Sequence, residues 1–563
     1  MQTIRVEKTS SKGIVIEQAF VIKKVDLTPA SYKVKKEDID AEIKKYRNAM
    51  NQAAFEIEKL AVDNDIFAGH LMIAKDEMLH DSVIDKIKDN RNGEQALFDS
   101  IAEFVLIFES MDDEYMRERA ADVKDVGNRA LKILMGIEDN ALADLTEKAV
   151  IIAEDLTPSD TAIMDFDYVA GFITQLGGTT SHISIIARNI GLPALVGVED
   201  ILNSVKNGDL IIMDAAAGNI IINPDEATIT KYRKLMNEFE KHQKNLEELT
   251  LLPSITLDGK SVELFANAGK GEEIEQANIH QAQGIGLFRS EFLYMENTHF
   301  PTEDEQYKVY KKAAELCNGD VIIRTLDIGG DKELPYYIFD KEENPFLGWR
   351  GIRISLDLED VFKTQLRAIL RASHFGKLKI MFPMIISVEE FVKAKEILEL
   401  CKDELRAEKL TFNENIEVGI MVETPAAVMI IEDLAQIVDF ISIGTNDLTQ
   451  YILAVDRGNQ KISNLYDSFH PAVLRSIQKI IETGHRFNKK IGMCGEFASD
   501  PKAVKVLLGM HLDEFSMSPK EINSVKDIIR NTTFSDAVEL AEKVVRASTT
   551  QEVLDIILTD SSK

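Results

Sequence analysis

The chain has 563 residues, 45% of them hydrophobic and 28% charged, with 65 Lys and Arg against 95 Asp and Glu, a formal net charge of −30. That composition is the one of a soluble globular protein with ample core material, and the length predicts about three to five domains. The acidity argues against a nucleic-acid partner, which needs clustered Lys and Arg, and suits a basic protein partner. Three cysteines, Cys317, Cys401 and Cys494, form no CxxC pair, so neither a disulfide framework nor a zinc site is expected. No apolar run approaches the ~18 residues of a membrane span and the N-terminus has no apolar signal region, so no membrane insertion and a cytoplasmic location are expected.

Residues 1–25 carry short β-branched runs, Gly13–Ile16 and Ala19–Ile22. From Lys36 to Ile137 apolar residues recur three and four apart with almost no Gly or Pro, which predicts a helical bundle inserted into a β-rich domain. Strand and turn patterns resume at Ala149 and run to Pro224, predicting a compact α/β unit. Asp225–Leu252 is polar and weakly helical, a linker helix stopped by Pro253. The expected domains are therefore 1–35 with 138–225, 36–137, 226–253 and 254–563. In the last of these, apolar runs alternate with helical stretches: 262–266, 284–288, 321–326, 379–383, 418–422, 440–443, 490–494 and 512–516. Seven such units, or eight with 512–516 counted, predict a (β/α)8 barrel with its active site at the C-terminal strand ends. The alternative is a doubly wound sheet, whose GxGxxG fingerprint is absent.

Two groups of residues carry chemistry. In Leu176-Gly-Gly-Thr-Thr-Ser-His182, glycines and capping residues lead into an apolar helix, placing His182 beside unpaired N–H groups and the positive end of the dipole. A neutral imidazole there can attack phosphorus; the bland alternative is a histidine capping an ordinary helix. The second group lies at the predicted strand ends: Arg289 with Glu291, Arg324 with Asp327 and Lys332, Arg350 with Arg353, then Glu423, Asn446, Asp447, Arg457 and Cys494. Guanidinium forks at several strand ends suit a small ligand bearing phosphate and carboxylate. Glu423 and Asp447 are hard oxygen donors suited to Mg²⁺, and equally to Mn²⁺. Cys494 is either a buried spectator or a proton donor to a carbanionic carbon.

The stretches Gly284-Ile-Gly-Leu-Phe-Arg-Ser-Glu-Phe-Leu-Tyr-Met295, Arg324-Thr-Leu-Asp-Ile-Gly-Gly-Asp-Lys-Glu-Leu-Pro335, Gly419-Ile-Met-Val-Glu-Thr-Pro-Ala426, Phe440-Ile-Ser-Ile-Gly-Thr-Asn-Asp-Leu-Thr-Gln-Tyr451 and Gly492-Met-Cys-Gly-Glu496 closely resemble the Enzyme I family of the bacterial phosphotransferase system. The resemblance runs through nearly the whole chain. It implies a swivelling phosphohistidine α/β domain with an inserted helical bundle, a linker helix and a C-terminal TIM-type barrel. It implies phosphoryl transfer from phosphoenolpyruvate to His182 and on to the carrier HPr, releasing pyruvate, as the first step of sugar uptake. Arg289, Arg324, Arg350 and Arg457 would hold phosphoenolpyruvate, with Asn446 and Asp447 closing the site. Glu423 and Asp447 would bind Mg²⁺, and Cys494 would protonate the enolpyruvate methylene. The bundle would dock HPr, and the barrel would form the homodimer.

Two departures stand out: Thr179 occupies the place where the family usually has Arg beside the histidine, and Ser11-Lys-Gly-Ile-Val-Ile16 replaces its usual small-residue pattern. The related dikinases need a large nucleotide-binding domain before the histidine, and the nitrogen-related paralogue an extra sensor domain; the 181 residues ahead of His182 are largely helical with no phosphate loop. A non-enzymatic regulator is disfavoured by the completeness of the site residues.

Overall fold

The computed structural model describes residues 1–563 except 7–8, 12, 23–25, 61–64, 111–113, 138–141, 143–144, 178–181, 330–331, 333, 335, 460 and 562–563. The chain divides into two units, Met1–His242 and Gln243–Lys563.

In the first unit the β-branched runs form a mixed sheet. Its strands are β1 (Gln2–Arg5), β2 (Thr9–Ser11), β3 (Ile14–Val21), β4 (Ala149–Ala153), β5 (Val169–Thr174), β6 (Ala194–Leu195), β7 (Leu210–Asp214) and β8 (Asn219–Ile222), in the order β1-β8-β7-β3-β4-β5-β6-β2. The central β3, β4, β5 and β6 are mutually parallel. β4 and β5 are buried along their whole length, as parallel strands covered on both faces must be, and accordingly read as unbroken apolar runs. Between β3 and β4 the chain makes helices α1 (Ile39–Leu60), α2 (Asp65–Ala74), α3 (Glu77–Lys88), α4 (Gly93–Glu109) and α5 (Glu114–Met135). The apolar stripes of α1, α3, α4 and α5 meet in one core around Tyr46, Met50, Leu79, Val83, Leu97 and Leu131, while α2 packs Phe67 and Ala74 against Ile57 and Val126. Asp76 starts α3 by accepting from the Leu79 amide at 2.9 Å.

The polar stretch after β8 is a single helix, Glu226–Glu248, more regular than its weak pattern suggests. Packing supplies what the pattern lacks: Ile229 and Tyr232 are buried against Ile212 and Ile221 of the sheet.

The second unit is a closed barrel of eight parallel strands, and the closure excludes the doubly wound alternative. The strands are β9 (Glu263–Ala268), β10 (Gly284–Arg289), β11 (Asp320–Arg324), β12 (Leu378–Phe382), β13 (Val418–Val422), β14 (Phe440–Ile443), β15 (Lys490–Met493) and β16 (Glu514–Met517), with β16 returning to pair with β9. Reciprocal capping boxes at Thr302 with Glu305 and Ser387 with Glu390 start two of the outer helices. β11 stops short of the predicted Leu326. The Thr325 amide still bonds the Met381 carbonyl at 3.0 Å, but the Leu326 amide turns away to Gln365 Oε1 at 2.9 Å. Among the described residues no helix is long and apolar enough to cross a membrane.

Outer helices Pro501–Gly509 and Phe534–Arg546 approach so closely that a Cβ on Gly509 would lie 1.9 Å from the Ala537 carbonyl oxygen. Gly509→Ala is expected to destabilise the second unit by about 1–3 kcal/mol, measured by thermal unfolding. An unchanged melting temperature would show that the helices part without cost.

Candidate active site

Five barrel strands, β10, β11, β13, β14 and β15, lead at their C-terminal ends to charged or thiol side chains. Arg324 is the last residue of β11, and its guanidinium pairs with Glu291, which follows β10, through a very short contact. Its other side meets Asp327 Oδ2 at 3.0 Å. Asp327 Oδ1 then accepts from Arg350 Nη2 at 3.3 Å. Lys332 Nζ completes the knot, reaching Glu291 Oε1 at 3.1 Å and the Asp327 carbonyl at 3.0 Å. Asp327 is 1% exposed, Glu291 2% and Arg350 2%. Burial alone would raise the Asp327 carboxyl, but Arg324, Lys332 and Arg350 together hold it well below the usual carboxylate range. The network therefore stays ionised, and its guanidiniums are fixed in place.

Glu423 follows β13 and accepts from the Met384 amide at 2.7 Å. Met384 sits in the left-handed region at φ +58°, a strained backbone that aims its N–H at this carboxylate. Asp447 lies in the first turn of the helix Thr445–Leu453 after β14, and it accepts from Arg350 Nη1 at 3.4 Å. Burial first, then the negative charge of Asp447 and Asp327, pushes Glu423 up to about 8. Such like-charge pressure between two oxygen donors is what a divalent cation relieves, so the pair fits one. Among the described residues no cluster of three or more His, Cys, Asp or Glu is placed to hold a metal, so substrate and water oxygens would complete the coordination.

Cys494 follows β15, buried. Ser442 Oγ donates to its sulfur at 3.4 Å, and Asn267 Nδ2 donates to its carbonyl at 3.0 Å. Burial raises the thiol to about 11, against the lowering effects of Ser442 and Arg324. It is therefore a thiol at neutral pH, a group that holds a proton ready for donation.

The other sequence-derived residues lie further out. Arg289 ends β10 over the Phe292 ring at 5.1 Å, with Glu273 at 3.9 Å. The Asn446 carbonyl accepts from the Tyr466 hydroxyl at 3.1 Å, and the Arg457 amide donates to Gln450 Oε1 at 3.1 Å. Arg324, Arg350, Glu423 and Asp447 are thus joined by contacts or charge in one cluster, and the contacts named for Arg289 and Asn446 lie outside it. In the first unit, the segment ahead of His182 is pinned to the end of β4 by the Gln175 and Leu176 amides, which bond the Ala153 and Glu154 carbonyls at 3.0 and 2.8 Å. Gly177 turns at φ +97°, and His182 begins the helix His182–Ile190. The His182 side chain and residues 178–181, Thr179 included, lie outside the described residues, as do Gly330 and Asp331.

Sequence reasoning noticed Glu291, Asp327 and Lys332 as neighbours of arginines but gave them no role; the signal was an acid two or three positions from each strand-end arginine. Met384, Ser442, Asn267 and Tyr451 were not singled out. Tyr451 OH lies 3.2 Å from Arg350 Nη1.

Residues 243–534 match the family model of the PEP-binding domain of PEP-utilising enzymes, residues 8–119 that of the N-terminal domain, and residues 145–218 that of the mobile domain. Fold and site are those of a PEP-utilising enzyme. The chain is 44% identical over 563 residues to the phosphoenolpyruvate-protein phosphotransferase of Haemophilus influenzae, with 97% of each chain covered. It is 43% identical over 559 residues to that of Staphylococcus carnosus, again with 97% of each covered. The chain belongs to the phosphoenolpyruvate-protein phosphotransferase family, and is an enzyme of that class.

Removing the shared anion should cost more than any rim contact. Asp327→Asn leaves buried guanidiniums short of a counter-charge, and a loss of about 3–5 kcal/mol in stability is expected by denaturant unfolding. A loss below 1 kcal/mol would mean that water already screens the cluster. The rate of Cys494 alkylation should keep climbing with pH well beyond 9, as a thiol near 11 requires. A plateau near pH 8 would show an activated thiolate instead.

Proposed function

We propose that this enzyme takes the phosphoryl group of phosphoenolpyruvate onto His182 and passes it to a histidine of the carrier HPr. The observation that carries the reading is the buried Arg324–Asp327–Arg350 cluster, set between the Glu423–Asp447 pair and the Cys494 thiol at one barrel mouth. Arg324 and Arg350, with Arg289 and Arg457, receive the phosphate and carboxylate of the substrate, and Asn446 and Asp447 close over it. Glu423 and Asp447 hold a divalent cation, Mg²⁺ or Mn²⁺, which would neutralise phosphoryl oxygens when bound. Phosphoryl transfer asks mainly for positioning and charge, and guanidiniums locked before substrate arrives need little reorganisation.

His182 attacks phosphorus in line while the P–O bond to enolpyruvate breaks. The enolate oxygen becomes the ketone of pyruvate as its C=C electrons take the proton of Cys494, and that protonation draws the transfer forward. His182 then serves a second partner, so its domain moves between two positions, with hinges near Ala149 and within residues 225–254. The helical bundle of residues 36–137 is the dock for HPr, and the barrel the surface that forms a homodimer. A cytoplasmic location follows from those partners.

Incubation with radiolabelled phosphoenolpyruvate and Mg²⁺, without nucleotide, should yield a base-stable, acid-labile label on the His182 peptide. His182→Ala should abolish that label yet keep phosphoenolpyruvate binding; loss of binding as well would overturn the division of labour. Cys494→Ala should slow turnover by ~10²–10⁴-fold with modest effect on binding. Normal turnover would assign proton donation to another group. Thr179→Arg should change the phosphotransfer rate if a cation there matters, and an unchanged rate would make Thr179 neutral.

A further inference from the structure

The barrel interior below the active site holds polar groups beside the apolar cluster of Leu287, Ile322, Met381, Met421 and Phe440. Ser442 of β14, Gly492 of β15 and Glu514 of β16 stand side by side in register, Ser442 opposite Gly492 and Gly492 opposite Glu514. Gly492 has no side chain, so Ser442 and Glu514 look at each other across it, and both line an internal cavity of about 10 Å³. That is the room of one water molecule. A side chain would close it: a Cβ on Gly492 would lie 3.1 Å from Glu514 Oε1, and one on Gly286 only 2.6 Å from the same oxygen.

On the upper side of the cavity, Ser442 Oγ touches the Cys494 sulfur at 3.4 Å. On the lower side, Glu514 Oε2 pairs with Lys490 Nζ at 2.8 Å. The Lys490 side chain is 31% exposed and also pairs with Glu263, so it reaches solvent at the N-terminal end of the barrel. Lys490 and Cys494 are four residues apart on one strand, about 13 Å at the usual rise. Burial raises the Glu514 carboxyl from its ordinary value, against the lowering effect of Lys490 and Lys379. Neither Ser442 nor Glu514 is reached by the substrate chemistry proposed above.

We infer that Glu514, a water in the cavity and Ser442 form a proton path that restores the Cys494 thiol from the end of the barrel opposite the substrate. The inference rests on the reading of Cys494 as proton donor. Each turnover leaves a thiolate there. Ser442 Oγ–H gives its proton to the sulfur while its oxygen takes one from the water. The water takes one from the Glu514 carboxyl, and Glu514 is reprotonated from solvent beside Lys490. One proton enters and one leaves, with no other bond changed. Ser442 and Glu514 are thus positioning and relay residues, acting through Cys494.

The test separates the first turnover, which uses a proton already on sulfur, from later ones. Full-length enzyme is mixed with phosphoenolpyruvate, Mg²⁺ and excess HPr, and pyruvate is followed by rapid quench. Glu514→Gln, which keeps the shape, should release one pyruvate per site at close to the wild-type rate, and Ser442→Ala, which also strips the hydroxyl from the Cys494 sulfur, should release its first pyruvate more slowly than that. They should then slow by about tenfold or more, a burst the wild type lacks. Ser442→Thr, which restores a hydroxyl, should remove the burst. Equal slowing of first and later turnovers, or wild-type rates throughout, would overturn the path and leave reprotonation to the barrel mouth. Cys494→Ala is run alongside: if it turns over normally, the donor reading fails instead, and the two failures are told apart.

Discussion

The carboxylate of Asp327 governs the architecture of the barrel mouth. Taking one ion out of water costs several kcal/mol unless its partners come with it, and here three cations converge on a single acid. Two of them, Arg324 and Arg350, are the guanidiniums expected to meet substrate. They are also tied to Glu291 and Asp447, so the positions of six charged side chains, Lys332 included, are set by one another. A strand end that shifted would break several of these pairs together. The rigidity of the closed barrel and the readiness of its catalytic cations are therefore one property.

Burial pushes the acids and the thiol of this site upward alike, and the neighbouring charges decide whether it wins. Asp327 is kept anionic because its partners outweigh the loss of solvent, whereas Glu423 is pushed up because its nearest charges include two other acids. Cys494 meets the Ser442 hydroxyl, the Ile443 carbonyl and the field of Arg324, and burial outweighs the lowering effects, so the thiol keeps its proton. A low-pKa cysteine would be a nucleophile; a buried thiol is suited to the proposed role of proton donor to carbon. The distinction lies in what surrounds the sulfur rather than in the residue.

Much of this was legible in the chain because barrels make it so. Parallel strands covered on both faces appear as apolar runs, and the residue ending each run falls at the mouth, which is how Arg324, Glu423, Asp447 and Cys494 were found. Pairings through space left no such trace. Nothing along the chain says that Asp327 is shared by Arg324 and Arg350, or that Met384 bends its backbone to serve Glu423, since each joins residues brought together only by closure. The helix after β8 was under-read for a related reason: its few apolar residues, Ile229 and Tyr232, gain their weight from the sheet they cover.

The order of strands in the first unit bears on how the chain is made. β3 pairs with β4, yet residues 22–148 separate them, and β1 finds its partner only in β8. On a ribosome the helices α1 to α5, whose contacts are local, emerge and pack first, while β1 to β3 wait as unpaired edges. The bundle thus shortens the distance the sheet must search across, since its folding replaces a long loose loop with a compact one whose ends already lie where β3 stops and β4 begins. Fast local helices act as the scaffold on which a slow, non-local sheet is assembled.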